Sequence, residues 1–217
     1  MDSTKDLKTN YTYRIIKRII DIISSSVAII LFSPPLVLIA ILIKLGSPGP
    51  VFFKQARIGE NGHKFNFLRF RTMKYGMDDE PIQITYLSKL LSGELGPEKG
   101  DSALKLSKDP RMTRIGKYLR ATSLDELPQL INVLMGDMSM VGPRPAIPYE
   151  IELYDEWHKG RLKARPGITG LWQVSGKKEL TFDEMVLLDL QYINKWSLWL
   201  DIKILFKTPW MVLTDQV

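Results

Sequence analysis

The sequence predicts a small mixed α/β domain on a helical membrane platform, preceded by a re-entrant helix-break-helix hairpin and followed by an amphipathic interfacial helix. Three observations carry that expectation. Residues 22–43, IISSSVAIILFSPPLVLIAILI, hold no charge yet have Ser33-Pro34-Pro35 at their centre. Further on, KFNFLRFRT alternates as a strand does, before helical spacing takes over. The final stretch, KWSLWLDIKILFKTPWMVL, sets three tryptophans and three lysines among aliphatic residues. The divisions that follow are 1–50 for the basic N-terminus and hairpin, 51–194 for the soluble domain and 195–217 for the tail.

The charge-free run is long enough to span a bilayer, which takes about 20 apolar residues, so one spanning helix is the simplest alternative. Two features favour a hairpin. Pro34 and Pro35 remove two amide donors, which leaves the carbonyls of Ile30 and Leu31 without helical partners and opposes a straight continuation. The Ser33 hydroxyl can reach back to one freed carbonyl, which makes a break tolerable in lipid. The limbs 22–32 and 36–43 would rise roughly 16 Å and 12 Å, each about half of a ~30 Å hydrocarbon core. Both flanks are also basic. Lys5, Lys8, Arg14, Lys17 and Arg18 precede the run, and Lys44, Lys54, Arg57, Lys64, Arg69, Arg71 and Lys74 follow it, with Glu60 the only acid among the latter. A spanning helix cannot put both flanks on the cytoplasmic side, whereas a hairpin can. A cleaved signal peptide fits poorly, because the run is too long and no small-x-small site follows it. Gly46-Ser47-Pro48-Gly49-Pro50 reads as a turn leaving the membrane.

Strands are expected at 51–55 and 64–72, around a turn at Asn61-Gly62. The second carries Arg69 and Arg71 on one face, either as a solvated surface or as a positive lining for a phosphate. Residues 77–110 lack regular spacing beyond an amphipathic piece at 84–91 and read as a surface excursion. A short basic helix is expected over 113–120, a polar helix over 150–163, a short strand in LWQVSG (171–176) and a helix over 182–195 capped by Thr181 or Asp183. Trp and Lys on the apolar tail suit the headgroup zone of a membrane, although an ordinary packed C-terminal helix has the same composition.

Composition narrows the chemistry. The 217 residues contain 30 Lys+Arg against 24 Asp+Glu, a net +6 that favours anionic partners: phosphate esters, acidic lipid or nucleic acid. There is no cysteine and only two histidines, His63 and His158, so thiolate chemistry is excluded and a His-based site is poorly supplied. Carboxylates are left to carry any catalysis. The richest segment is TSLDELPQLINVLMGDMSMVGPRP, residues 122–145, which sets Asp125 and Glu126 shortly before Pro143-Arg144-Pro145. Paired carboxylates can bind Mg²⁺ or attack an electrophile, and a rigidly presented guanidinium suits a phosphate. A structural role competes with that reading. Ser123-x-x-Glu126 matches a capping box, or Asp125 could itself cap a helix with Pro128 at its third position. Arg120, Arg144 and the glycine turn at Gly136 make sense around a nucleotide diphosphate, and a carboxylate at a helix N-terminus is expected to have a depressed pKa.

The chain resembles the bacterial sugar transferases, the monotopic phosphoglycosyl transferases, over nearly its whole length. The resemblance rests on Ser33-Pro34, FRTM at 70–73, TSLDELPQLINVLMGDMSMVGPRP, RPGITGLWQVSG at 165–176 and YINKWSLWLDIKIL in the tail. It implies an enzyme of the bacterial inner membrane, with its catalytic domain and both termini on the cytoplasmic face, that starts surface glycan or exopolysaccharide assembly. The reaction it implies moves a sugar-1-phosphate from a UDP-sugar to undecaprenyl or another polyprenyl phosphate and releases UMP. By position, Asp125 is then the nucleophile that carries the phospho-sugar and lies next to Mg²⁺, with Glu126 as its dyad partner. Arg144, between Pro143 and Pro145, holds the nucleotide-sugar phosphate or uridine end. Arg120, and more remotely Arg69 and Arg71, are further phosphate contacts, and Ser33 and Pro34 set the re-entrant geometry. The block at 180–205 leans the sugar toward galactose or glucose, with an N-acetylated amino sugar as the alternative. Membrane lipid, rather than nucleic acid, is the implied partner, and a homodimer is left open. The rival from another class is a membrane-tethered module that binds acidic lipid or nucleic acid, which gives the dyad nothing to do.

Overall fold

The computed structural model describes residues 11–76, 111–176 and 180–214. The excursion expected at 77–110, with its piece at 84–91, and the flanking Lys5 and Lys8 lie outside the described residues.

Helix α1 runs from Tyr11 to Gly46 as one 36-residue element with Pro34 and Pro35 inside it. The expectation of two helices parted by a break is corrected to this extent: helical structure carries on through both prolines. The reason is local. Ser33 Oγ donates to the Ile30 carbonyl at 2.8 Å, and so supplies the donor that Pro34 lacks. By length and composition α1 could cross a membrane.

Both ends of α1 are fastened to the soluble part. Near its start, Lys17 pairs with Asp201 at 2.6 Å, and Asp21 accepts from Ser139 Oγ and the Met140 amide, each at 3.0 Å. Near its end, Ile39 and Ile43 pack with Phe70 and Leu119. Between these attachments most side chains face outward, Ile30 and Leu31 being 72% and 68% exposed.

Strands β1 (Phe52–Ile58) and β2 (Lys64–Phe70) form an antiparallel pair in which Phe52 faces Phe70 and Ile58 faces Lys64. Asn61 and Gly62 supply the positive φ values of the turn, as expected. A second, parallel pair joins β3 (Ser139–Val141) to β4 (Gly167–Thr169). The expected strand at 171–176 is instead a 3₁₀ turn, Trp172–Val174, and the strand lies just before it. Glycine is needed in this second pair: a Cβ on Gly167 would lie 2.0 Å from the Gly142 amide nitrogen.

Helix α2 (Arg114–Ala121) is capped by Thr113, whose hydroxyl accepts from the Gly116 amide. Helix α3 (Gln129–Met135) ends at Gly136 in the left-handed region, and Arg18 donates to its last carbonyls, Val133 and Leu134. The polar helix expected over 150–163 divides into α4 (Pro148–Glu152) and a 3₁₀ segment, His158–Lys163. Between them the Asp155 amide donates to the His158 ring, and the chain turns so that Arg161 points inward. Helix α5 (Phe182–Asn194) opens with the Thr181–Glu184 capping box. Helix α6 (Leu198–Thr214) buries Ile204 with Val141, Val174 and Tyr192, while Trp199, Phe206 and Trp210 stand out along one stripe, Phe206 82% exposed.

Candidate functional site

The site is built where β2, α2 and the segment ahead of α3 meet. After α2, Ser123 adopts φ 56°, ψ 16°, and Leu124–Glu126 form one 3₁₀ turn. Ser123 makes no side-chain cap, and the N-cap position of α3 is held by Pro128. Neither capping arrangement open to the sequence is therefore taken up, and both carboxylates are spared that duty.

Asp125 is buried, 4% exposed, and Glu126 is partly open. Arg69, at the end of β2, faces them both: Nη2 is 2.5 Å from Glu126 Oε1 and Nη1 is 3.6 Å from Asp125 Oδ2. Arg69 thus stands at the dyad itself, although its sequence signal is among the faintest. Burial lowers the Arg69 guanidinium, and Glu126 with Asp125 more than offsets that, so its pKa rises. Burial pushes Asp125 up; Arg69 pulls it down, Glu126 adds to the rise, Arg120 opposes it, and the outcome is about 6. The depressed pKa expected from a helix N-terminus is corrected, because desolvation outweighs the two cations. At pH 7 a group with a pKa of about 6 is still roughly 90% ionised.

Arg120 reaches the same corner from α2, where its Nε donates to Thr72 Oγ1 at 3.0 Å. The approach of α2 is set by Gly116, at which a Cβ would lie 1.9 Å from the Thr72 carbonyl oxygen. On the other side, Asn132 of α3 accepts from the Leu68 amide and donates to the Asn66 carbonyl. These bonds fix β2, and with it Arg69, relative to the dyad. Arg71 is placed differently from the sequence expectation. The strand stops at Phe70, and the Arg71 guanidinium donates to the carbonyls of Ile43, Ser47 and Pro48, which ties down the end of α1.

Arg57 stands out in the sequence only as one charge of a basic flank. It lies on the same face of the hairpin as Arg69, and the two guanidinium carbons are each 5.2 Å from the Phe67 ring centroid. Burial, then Arg144, then Arg69 push the Arg57 pKa down to about 9. Arg144 and Arg69 thus both act on Arg57, whose guanidinium donates to Gln55 Oε1 and to the Pro145 carbonyl. The alternation of the hairpin could have revealed Arg57 had β1 been extended beyond Gln55.

Pro143 and Pro145 are buried and Arg144 is exposed between them. The loop is held from behind. Arg57 Nη1 donates to the Pro145 carbonyl at 3.0 Å, and the Arg144 amide and side chain both favour ionised Asp189. Asp189, in α5, pairs with Arg161 at 2.5 Å with both side chains buried. Arg161 in turn donates to Tyr154, whose hydroxyl donates to Glu150. Burial raises Asp189 to about 6 against the pull of Arg161.

Among the described residues no three His, Cys, Asp or Glu side chains converge as a metal site. Two neighbouring carboxylates nevertheless fit Mg²⁺, which is commonly held by one or two carboxylates together with substrate phosphates and water.

The bacterial sugar transferase family matches residues 12–215. The exopolysaccharide production protein ExoY of Rhizobium meliloti is 44% identical over 195 residues, 88% of this chain and 83% of that protein. The undecaprenyl-phosphate galactose phosphotransferase of Salmonella typhimurium is 41% identical, over 92% of this chain and 41% of its own length. The UDP-glucose:undecaprenyl-phosphate glucose-1-phosphate transferase of Escherichia coli K12 is also 41% identical, over 90% of this chain and 39% of its own length. The chain thus spans most of ExoY but less than half of these larger relatives.

Proposed function

The chain belongs to the bacterial sugar transferase family, and from that premise we propose that it moves a hexose-1-phosphate from a UDP-sugar to undecaprenyl phosphate. The observation that carries the reading is the Asp125–Glu126 pair, released from capping and gripped by Arg69 beside a cluster of guanidiniums. In the first step an Asp125 carboxylate oxygen attacks the sugar-bearing phosphorus, a P–O bond forms, and the bond to the UMP oxygen breaks. In the second step a phosphate oxygen of the acceptor displaces Asp125, regenerating the carboxylate and giving the undecaprenyl-diphosphate sugar. Arg69 lies where it can follow charge from the carboxylate to the phosphoryl oxygens, and Arg144, exposed on the loop that Arg57 holds from behind, faces the nucleotide diphosphate. Asp125 and Glu126 would hold Mg²⁺, which supplies shielding between carboxylate and phosphate. The names of the relatives favour galactose or glucose over an N-acetylated amino sugar as the cargo.

The same reading places the chain on the cytoplasmic face of the inner membrane, with α1 entering and leaving one leaflet. The support is geometric. Domain-facing positions reach along α1 to Ile29 and resume at Leu36, so only about six residues, roughly 9 Å of helix, lie between them. That is well short of the ~30 Å a spanning helix must traverse. The exposed Trp199, Phe206 and Trp210 stripe of α6 suits the headgroup zone beside it.

The test is a donor-only reaction. UDP-galactose or UDP-glucose with Mg²⁺ and no acceptor is expected to release about one UMP per enzyme, with a phospho-sugar adduct on Asp125. Asp125→Asn should abolish the burst. UMP that forms only when acceptor is present, with no trappable adduct, would favour direct transfer between bound substrates instead.

A further inference from the structure

Strands β1 and β2 have no third strand beside them among the described residues, so the outer edge of β2 presents main-chain groups without a ladder partner. Two of these groups are taken up by one side chain. Asn132 Oδ1 accepts from the Leu68 amide at 3.0 Å, and its Nδ2 donates to the Asn66 carbonyl at 2.7 Å. The side-chain amide thus stands where the peptide of a neighbouring strand would otherwise be. Asn132 is itself held in place. Its Nδ2 also donates to Asp137 Oδ2 at 3.3 Å, its main-chain carbonyl accepts from the amides of Gly136, Asp137 and Met138, and the residue is 1% exposed. We propose that Asn132 is a positioning residue for the transfer reaction: it docks β2 in the one register that sets the Arg69 guanidinium on the Asp125–Glu126 pair. This inference rests on the function proposed above.

The connectivity of the site supports that role. Leu127 and Pro128 are right-handed helical, so the dyad turn runs into α3 and puts Asp125 and Asn132 on one continuous stretch. At about 1.5 Å per residue the two are separated by roughly 10 Å along its axis. On the strand, Arg69 directly follows Leu68. The helical stretch and β2 therefore meet at two points, Arg69 on the carboxylates and Asn132 on the main chain of residues 66 and 68. The first contact changes during the reaction, because a phosphoryl group competes with the carboxylates for the guanidinium. The second is buried and made to the main chain, so it keeps β2 in place while Arg69 shifts between partners. Without it, a one-residue slip of β2 would present Leu68 or Phe70 to the carboxylates, since successive strand residues point to opposite faces.

The test uses the full chain in nanodiscs with UDP-galactose or UDP-glucose, Mg²⁺ and no acceptor. The amplitude of the UMP burst counts folded, active enzyme, and its rate constant reports the first chemical step. Asn132→Ser, whose shorter side chain reaches one main-chain group at most, should leave the amplitude near about one UMP per enzyme. Its rate constant should fall about 10- to 100-fold, the scale of a misplacement of ~1 Å at a reacting centre. In an Arg69→Met background the same substitution should add no further slowing, because the group it positions is gone. A smaller amplitude with an unchanged rate constant would make Asn132 a stabiliser of the fold only and overturn the proposal. Equal slowing with and without Arg69 would overturn it too. If Asn132→Ser does not fold, Asn132→Asp is read in the same way: it keeps the shape and the bond from the Leu68 amide but has no donor for the Asn66 carbonyl. A parent protein without a burst refutes the two-step mechanism and not the positioning; kcat for complete transfer to undecaprenyl phosphate then takes the place of the burst constant in the same comparison.

Discussion

Replacing Asp125 by Asn should abolish transfer and, at the same time, make the protein more stable. The side chain is almost wholly buried, and burial together with Glu126 raises its carboxyl from an ordinary value of 3.8 to about 6 despite Arg69 and Arg120. A folded-state pKa above the unfolded one means that the native state holds its proton more tightly. Stability is therefore fully present below about pH 4 and falls as pH rises through about 6. A rise of that size corresponds to about 3 kcal/mol, the penalty for keeping Asp125 ionised at neutral pH. Asn has the shape of the neutral acid and avoids that penalty. In detergent with a chelator present, Asp125→Asn is expected to gain up to about 3 kcal/mol above pH 7, on the order of 6–12 °C in Tm for a chain of this size. The gain should vanish near pH 4. A variant less stable than the parent at pH 8, or a difference that does not change with pH, would refute the reasoning. Such an outcome would mean that the attraction of Arg69 and Arg120 outweighs desolvation.

Further substitutions probe the supports of the site. Glu126→Gln should slow the donor-only burst while leaving membrane association, measured by flotation, unchanged. Asp189→Ala leaves Arg161 buried without its partner and should cost about 3–5 kcal/mol in urea unfolding, whereas an Arg161→Met/Asp189→Leu double substitution should recover most of that loss. Gly116→Ala drives a methyl group against the Thr72 carbonyl; it should lower Tm and, by displacing Arg120, weaken the burst. Ser33→Ala removes the donor on the Ile30 carbonyl and should destabilise α1 by about 1–3 kcal/mol, read as faster proteolysis in nanodiscs.

Much of the fold is legible in the sequence because it is local. Asn61-Gly62 announces the hairpin, Thr113 and Thr181 announce helix starts, and the tail shows its amphipathic stripe, since each depends on residues a few positions apart. Family membership is equally plain, because the quoted motifs are specific and spread along the chain, and the family match covers residues 12–215. Sequence and structure part where distant partners decide. The helix expected over 150–163 divides where Arg161 turns in to meet Asp189, and local periodicity carries no trace of that partner. The β3–β4 pair escapes notice because strands of three residues have too little alternation to register. Two successive prolines read as a stop, yet the Ser33 hydroxyl lets helical structure pass through them.

The sequence by itself determined which groups could do chemistry: no thiol, two histidines, and a carboxylate pair with several guanidiniums. It also determined that a long apolar segment precedes the domain. Only the tertiary structure decided which guanidinium meets the dyad, choosing Arg69 over Arg71, and set Arg57 on the same face of the hairpin. The physical reason is that a side chain's charge state and accessibility depend on everything packed around it. Asp125 shows this directly: its position before a short helix argued for a depressed pKa, and the burial imposed by β2, α2 and α3 reversed the sign.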